Sequence, residues 1–107
     1  MNEQYLLILN TCPDKETAVR VANTLVDKGL AACVNILPGV TSVYHWQGKI
    51  ESDEEHILLI KSTQNAYVAV ESAIREIHPY ELPEVIAVPV TEGLSEYLAW
   101  IEACTKN

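Results

Sequence analysis

The sequence is poor in basic residues. Its 107 residues include seven lysines and arginines against fifteen aspartates and glutamates, which gives a formal net charge of −8. Nucleic acids and anionic membranes are bound by basic surfaces, so this balance argues against both as partners. An acidic surface is compatible with cation binding, although solubility alone also accounts for it.

Cysteines are few and irregularly spaced. Cys12, Cys33 and Cys104 form no C-x-x-C pair, which argues against a disulfide framework or a zinc site and favours a reducing compartment. We expect Cys33 to be a small buried hydrophobe and Cys104 to be partly exposed.

The first residues lack the basic start and apolar run of a signal peptide, and no run reaches the roughly 18 apolar residues of a membrane span. We therefore expect a cytoplasmic protein.

Catalytic motifs are also missing. The sequence contains no G-x-S-x-G, P-loop, G-x-G-x-x-G or H-E-x-x-H pattern, and no linker, repeat or low-complexity segment. A cysteine–histidine pair assembled by folding stays open as an alternative, but no local pattern supports it. We expect a single domain over residues 1–107 that is not an enzyme.

What the sequence does contain is a regular alternation of strand and helix patterns. Short apolar runs and period-two alternation predict strands, and spacing at i, i+3, i+4 and i+7 predicts helices. Thr11, Asp14 and Glu16 suit the start of the first helix, and Ser62 to Asn65 offer caps for the second. The predicted elements are a strand Tyr5–Leu9, a helix with the stripe Ala18, Val21, Ala22 and Leu25, an extended stretch Ala32–Trp46, a return strand Lys49–Lys61, a helix with the stripe Tyr67, Val70, Ile74 and Ile77, a strand Pro83–Val90 broken near Pro89, and a last helix with Leu94, Tyr97, Leu98 and Ile101 on one face. This order predicts an α/β (α+β), ferredoxin-like βαββαβ sandwich with an antiparallel sheet, a long projecting hairpin and a C-terminal helix.

The predicted hairpin is too long for a domain of this size. Gln47-Gly48 suits a two-residue turn, and a strand of ~14 residues spans ~45 Å, whereas the radius of gyration of such a domain is near ~13 Å. The tip, with Tyr44 and Trp46, must then project beyond the core, with a kink or bulge at Pro38-Gly39. An isolated ribbon is marginal in water and its edges invite pairing, so we expect a closed homo-oligomer.

Several segments resemble the CutA divalent-cation tolerance family, in order and spacing, over nearly the whole chain. They are Gly29–Ile36, Pro38–Tyr44, Trp46–Ile50, His78-Pro79-Tyr80 with Pro83-Glu84, and Tyr97–Trp100. The resemblance implies a homotrimer of ferredoxin-like subunits that pair strands across their interfaces, and a link to copper and other divalent cations. It also implies a likeness to the PII signalling proteins, which bind small ligands between subunits.

The resemblance implies one candidate metal ligand. Copper sites use imidazole and thiolate groups, and some family members carry a cysteine before a Thr-x-Pro-Asp turn and two histidines before Pro-Tyr. Those positions here are Asn10 and Ile77-His78. His78 is therefore the candidate ligand for Cu(II) or another divalent cation, with helix capping as the alternative. Cys12 lies two residues beyond the family's cysteine position, so it could substitute only with a different geometry.

Other titratable residues have simpler interpretations. His45 and His56 are expected to be strand residues on a solvated or interfacial face. The acidic residues of the run 51–55 alternate on a strand, so we expect them to form a solvated face that cannot converge on one ion.

A second candidate site combines aromatic and charged residues. Trp46, Lys61, Tyr80 and Glu84, with Trp100, could line a ligand-binding cleft between subunits, or they could form an interface core. The sequence thus leads to a homotrimeric divalent-cation (copper) tolerance protein, with a PII-like signalling module that binds a small ligand as the alternative.

Overall fold

The computed structural model describes residues 4–105 and places four antiparallel strands in one sheet. The strands β1 (Tyr5–Cys12), β2 (Cys33–Trp46), β3 (Lys49–Thr63) and β4 (Val85–Val90) lie in the order β2-β3-β1-β4. Helices α1 (Lys15–Asp27) and α2 (Tyr67–Ile77) follow β1 and β3, a 3-10 turn (Gln64–Ala66) precedes α2, and α3 (Ser95–Cys104) follows β4. This arrangement confirms the predicted ferredoxin-like α/β fold. None of the described helices is long and apolar enough to cross a membrane.

The core lies between one face of the sheet and the helices α1 and α2. On β1 and on the inner half of β3, residues of even number point to this face, as the period of two requires, and Ile8, Leu58 and Ile60 are fully buried there. The predicted helix stripes meet them with Val21, Leu25, Val70 and Ile74, all fully buried. Burying each such side chain stabilises the fold by about 1.5–3 kcal/mol.

Helix α1 begins at a side-chain cap. The Asp14 carboxylate accepts a hydrogen bond from the Thr17 backbone N–H at 2.8 Å. This bond to the N–H holds the pKa of Asp14 below its usual value. Of the three residues proposed for this helix start, Asp14 is the cap, whereas Thr11 belongs to β1.

Three predictions, of a strand end, a strand break and a helix cap, differ from the structure. Strand β1 continues past Leu9 to Cys12, because it lies between β3 and β4 and both neighbours pair with its later residues. Pro89 does not break β4; it pairs with Leu6 within the strand, and this is possible because an edge strand tolerates a missing N–H. The N-cap position of α2 is Ala66, which makes no side-chain cap hydrogen bond, and Ser62 donates to the Leu30 carbonyl at 2.7 Å.

The hairpin projects as predicted. Gln47 and Gly48 both have positive φ angles, 52° and 79°, as a two-residue hairpin turn requires. The register of β2 against β3 shifts between Leu37 and Val40, at the expected Pro38-Gly39 irregularity. The molecule is 46 Å along its longest axis against 25 and 22 Å across.

The second face of the sheet is only partly covered. Helix α3 reaches this face, where the Tyr5 hydroxyl donates to the Glu102 carboxylate at 2.9 Å. Beyond α3, apolar side chains remain open to solvent: Leu37 is 42% exposed, Ile86 52% and Val88 44%. Of the last helix's predicted stripe, Ile101 is buried, whereas Leu94 and Tyr97 are exposed, so this chain alone leaves a large apolar face uncovered.

Candidate functional site

A groove of about 640 Å³ lies where the hairpin leaves the body of the molecule. One wall is the outer half of β2 and β3, and the other is the segment between α2 and β4. The lining residues are Thr11, Ser42, Val43, Tyr44, His45, Trp46, Glu55, Tyr80, Glu81, Leu82 and Glu84. The groove therefore combines aromatic rings with three carboxylates.

The hairpin wall is set by the strand register. Pairing of Ser42 with Asp53 and of Tyr44 with Glu51 puts an aromatic row and an acidic row side by side on one face. The Tyr44 hydroxyl donates to the Asp53 carboxylate. This hydrogen bond raises the pKa of Tyr44 to about 12, so Tyr44 stays a neutral donor at neutral pH.

The opposite wall is anchored by Tyr80. Its hydroxyl donates to Glu55 Oε2 at 2.6 Å, and burial together with this bond raises the pKa of Tyr80. Burial, followed by the charge of Glu55, also raises the pKa of the Glu84 carboxyl. Two carboxyl groups thus lie close enough to repel each other when both are ionised.

His78 lies behind Tyr80 and is 7% exposed. Its Nδ1 accepts a hydrogen bond from the Tyr80 backbone N–H at 3.2 Å, so Nε2 of the neutral ring carries the proton and donates to the Thr11 carbonyl at 2.7 Å. The ring packs on Tyr80 at 4.7 Å between centroids. Both ring nitrogens are therefore occupied by backbone groups, and the side chain joins β1 to the end of α2.

Asn10, whose side-chain amide is buried, occupies the position where some CutA family members carry a cysteine. Asn10 Nδ2 donates to the Glu84 carbonyl at 2.8 Å, and the Cys12 thiol donates to Asn10 Oδ1 at 3.4 Å. Burial raises the pKa of Cys12 to about 12, with smaller contributions from Asp14 and Glu55. The thiol is therefore protonated at neutral pH, whereas metal binding requires the thiolate.

The predicted cleft residues are only partly together in one chain. Trp46, Tyr80 and Glu84 line the groove. Lys61 lies instead on the partly covered sheet face, where its ammonium donates to Asn35 and approaches Cys33 Sγ at 3.8 Å. Trp100 packs against Tyr97 on α3, with ring centroids 5.4 Å apart.

The other metal-ligand candidates are dispersed. His45 and His56 lie on β2 and β3, as predicted, and His56 Nδ1 is buried without a hydrogen-bond partner. Within residues 4–105, no group of three or more His, Cys, Asp or Glu side chains is placed to hold a metal ion. Cys33 and Cys104 are both half-buried, so Cys33 is more exposed than predicted, because it lies on the partly covered face.

Several groove residues were missed from the sequence. Tyr44 was placed only at the hairpin tip and Glu55 only in a solvated acidic run. The period of two offered a signal, because Tyr44 and Trp46 share a face with the odd-numbered acidic residues of β3 once the Gln47-Gly48 turn fixes the register. The contribution of Glu81 and Leu82 depends on the path of the segment after α2, for which the sequence carries no periodic signal.

Comparison with known proteins gives a consistent result. Residues 6–104 match the family model described as CutA1 divalent ion tolerance protein. The divalent-cation tolerance protein CutA of Thermus thermophilus is 44% identical over 99 residues, which cover 92% of this chain and 96% of that protein. The chloroplastic protein CutA of Arabidopsis thaliana is 42% identical over 95% of this chain, which spans only 56% of that longer protein.

A solved structure agrees with these sequence matches. The crystal structure of CutA1 from the psychrotrophic bacterium Shewanella sp. SIB1 superposes with a TM-score of 0.94 at 40% identity and covers 100% of both chains. The similarity therefore includes the hairpin and the segments that form the groove.

Proposed function

The chain belongs to the CutA1 divalent ion tolerance family, and from this premise we propose that it acts as a homotrimer in tolerance of copper and other divalent cations. In this role it binds or responds to the metal ion and catalyses no reaction. The match over residues 6–104 carries the link to divalent cations. The whole chain, residues 1–107, is proposed to act as one domain in the cytoplasm, although the Arabidopsis relative is named chloroplastic.

The partly covered sheet face supports the homotrimer. Ile86 and Val88 on β4 and Leu37 on β2 are each more than 40% exposed there, and large exposed apolar side chains on one sheet face favour an interaction site. The edge strands β2 and β4 flank this face and can pair with strands of another copy. A closed ring of identical copies covers the apolar face and satisfies both edges.

The metal-binding part of the proposal depends on the assembly. The described residues of one chain offer no donor set for copper, since Cys12 is protonated and both nitrogens of His78 are hydrogen-bonded. A three-fold assembly repeats every donor three times around its axis, so one imidazole per chain can supply three. His78 remains the proposed ligand, and it would release either Thr11 or Tyr80 on binding.

Isothermal titration of the reduced, metal-free protein with Cu(II) tests this proposal. We expect saturation at one ion per chain or one per trimer, and weaker binding in His78→Ala than in the control His45→Ala. Unchanged affinity in His78→Ala would remove this ligand, and non-saturating association in the parent protein would remove copper binding itself.

The groove favours a second candidate function. Its volume lies in the range of small-molecule sites, roughly 300–1,000 Å³, and its aromatic and charged lining is typical of them. We therefore also propose a PII-like module that binds a small ligand in a cleft between subunits, formed by Trp46, Tyr80 and Glu84 with Lys61 from a neighbouring copy. Lys61→Ala or Glu84→Ala should then abolish ligand binding and leave the trimer intact.

A further inference from the structure

Tyr80 is hydrogen-bonded through both its backbone and its side chain. Its backbone N–H donates to His78 Nδ1 at 3.2 Å, and its hydroxyl donates to Glu55 Oε2 at 2.6 Å. Burial and the bond to Glu55 raise the pKa of Tyr80, so the hydroxyl stays a donor at neutral pH. A hydrogen bond to a carboxylate is stronger than one between neutral groups. Tyr80 therefore connects the end of α2 to the base of the hairpin.

The backbone of Tyr80 covers the nitrogen of His78 that can bind a metal ion. A neutral imidazole has a lone pair on one nitrogen and a hydrogen on the other. Because the Tyr80 N–H can only donate, the lone pair is on Nδ1, and Nε2 carries the hydrogen that bonds the Thr11 carbonyl. The two rings also pack together, and His78 is 7% exposed. An ion can therefore bind Nδ1 only after the Tyr80 N–H has moved away.

The segment that carries Tyr80 can move without disturbing the core. Residues 78–84 form neither helix nor strand, and only the first of them is buried. The segment is attached to β1 at both ends, by the His78 ring and by the Asn10 amide, which donates to the Glu84 carbonyl at 2.8 Å. Segments with few buried apolar contacts open locally at a lower free energy than the whole fold. Opening at Tyr80 can thus be confined to the residues between these two attachments.

We propose that Tyr80 is a gate over the His78 imidazole and that Glu55 holds this gate closed. In the closed form, which the structure describes, Nδ1 is hydrogen-bonded. In the open form the Tyr80 hydroxyl leaves Glu55, the backbone N–H leaves Nδ1, and the bond from Nε2 to the Thr11 carbonyl continues to orient the ring. Such a bond from the second nitrogen is usual for histidines that bind metal ions. The inference rests on the proposed metal-binding function and adds its regulation.

Chemical modification of the imidazole tests the gate without any metal ion. Diethyl pyrocarbonate transfers an ethoxycarbonyl group to an unprotonated imidazole nitrogen, with release of carbon dioxide and ethanol. Mass spectrometry of peptides from the full, assembled protein then reports each histidine separately. His45 is exposed and serves as the internal reference. We expect His78 to react much more slowly than His45, at a rate that follows the population of the open form.

Tyr80→Phe is the variant that weakens the gate, because it removes the bond to Glu55 and keeps both the ring and the backbone N–H. Loss of one hydrogen bond to a charged group should raise the modification rate of His78 roughly tenfold. Tyr67→Phe is the matched control, since the Tyr67 hydroxyl also donates to a carboxylate, that of Glu71, at the opposite end of α2. In this control the rate should change by less than about twofold.

Cu(II) binding measures the effect of the gate on the proposed metal site. A site that is competent only in the open form binds with an affinity reduced by the fraction of open molecules. Isothermal titration of the assembled, reduced proteins should therefore give a dissociation constant for Cu(II) that is roughly tenfold lower in Tyr80→Phe than in the parent protein. Tyr67→Phe should bind Cu(II) as the parent protein does.

The two measurements separate the gate from the metal site. Equal modification rates of His78 in Tyr80→Phe and in the parent protein would overturn the gate, and so would an equal rise in Tyr67→Phe. Faster modification with an unchanged dissociation constant for Cu(II) would overturn the role of the gate in metal binding. Faster modification without saturable Cu(II) binding in any of the three proteins would contradict the proposed metal function and leave the gate over the imidazole standing.

Discussion

The inner and outer halves of the β2–β3 hairpin share two strands and differ in almost everything else. On the inner half, Leu58 and Ile60 are fully buried beneath the helices, whereas on the outer half Val43 is 67% exposed and Ile50 71%. The change occurs near Glu55, where the β2 register shifts and the groove begins. The inner half is therefore stabilised by the chain's own core. Within one chain, the outer half is stabilised mainly by the hydrogen bonds between β2 and β3. Its exposed surface is available to other copies and to ligands.

The largest contrast is expected from two isoleucines on the same strand. Ile60→Ala leaves a cavity in the core and should lower the free energy of unfolding by about 2–5 kcal/mol. Ile50→Ala removes an exposed side chain and should change it by less than about 0.5 kcal/mol. Urea unfolding at one fixed protein concentration measures both, and comparable losses would show that the tip is as well packed as the core.

A charge on the uncovered sheet face should act on the assembly more than on the fold. Ile86→Asp places an unpaired carboxylate where we propose that copies meet, and should raise the dissociation constant of the assembly roughly a hundredfold or more. Val68→Asp is the control, because Val68 is 74% exposed on α2, away from that face. Analytical ultracentrifugation over a range of concentrations compares them. An Ile86→Asp protein as fully assembled as the control would place the interface elsewhere.

Two of the three histidines, one buried and one near the exposed tip, differ in the same way as the two halves of the hairpin. His78→Ala removes one buried and one partly buried hydrogen bond to the backbone and should lower the free energy of unfolding by about 1–3 kcal/mol. His45→Ala, near the exposed tip, should cost less than about 0.5 kcal/mol. Equal costs, measured by thermal unfolding of the metal-free proteins, would contradict the structural role of the His78 ring.

The smallest expected effect is a dependence of stability on pH, caused by Glu84, which lies near Glu55 at the boundary between the two halves of the hairpin. The pKa of Glu84 is raised above its ordinary value of 4.5 by burial and by Glu55. The contribution of its protonated form to stability is therefore complete below that value and is lost as the pH rises through the folded-state pKa. The stability of the parent protein should then fall relative to Glu84→Gln as the pH rises from below 4.5 through the raised pKa of Glu84. Parallel curves for the two proteins would mean that Glu84 is neither desolvated nor close to Glu55.

Most of the fold could be predicted because its signals are local. The stripes of α1 and α2, the Gln47-Gly48 turn and the excess length of the hairpin each follow from periodicity or turn chemistry. The end of β1 could not be predicted in this way. Asn10 and Thr11 are polar, yet they are buried between two strands, because partners distant in sequence satisfy them. Pro89 likewise belongs to a strand only because β4 lies at the edge of the sheet.

The candidate site was less predictable because it depends on contacts between residues distant in sequence and between copies of the chain. Trp46, Tyr80 and Glu84 were grouped as aromatic and charged residues that line either a cleft between subunits or an interface core, and the structure brings them to one groove. Lys61 lies opposite Cys33 on the other part of the sheet, so its place in a cleft depends on a second copy, which the sequence of one chain does not specify. Glu55 was missed because its burial results from Tyr80, 25 residues away.

Native mass spectrometry of the reduced, metal-free protein, titrated with Cu(II), tests the proposed function most directly because it reads assembly and metal binding together. We predict a complex of three chains at micromolar concentration that takes up copper to a fixed limit of one ion per chain or one per trimer. A single chain would contradict the homotrimer, and a trimer that gains copper without reaching a limit would contradict a specific metal-binding role.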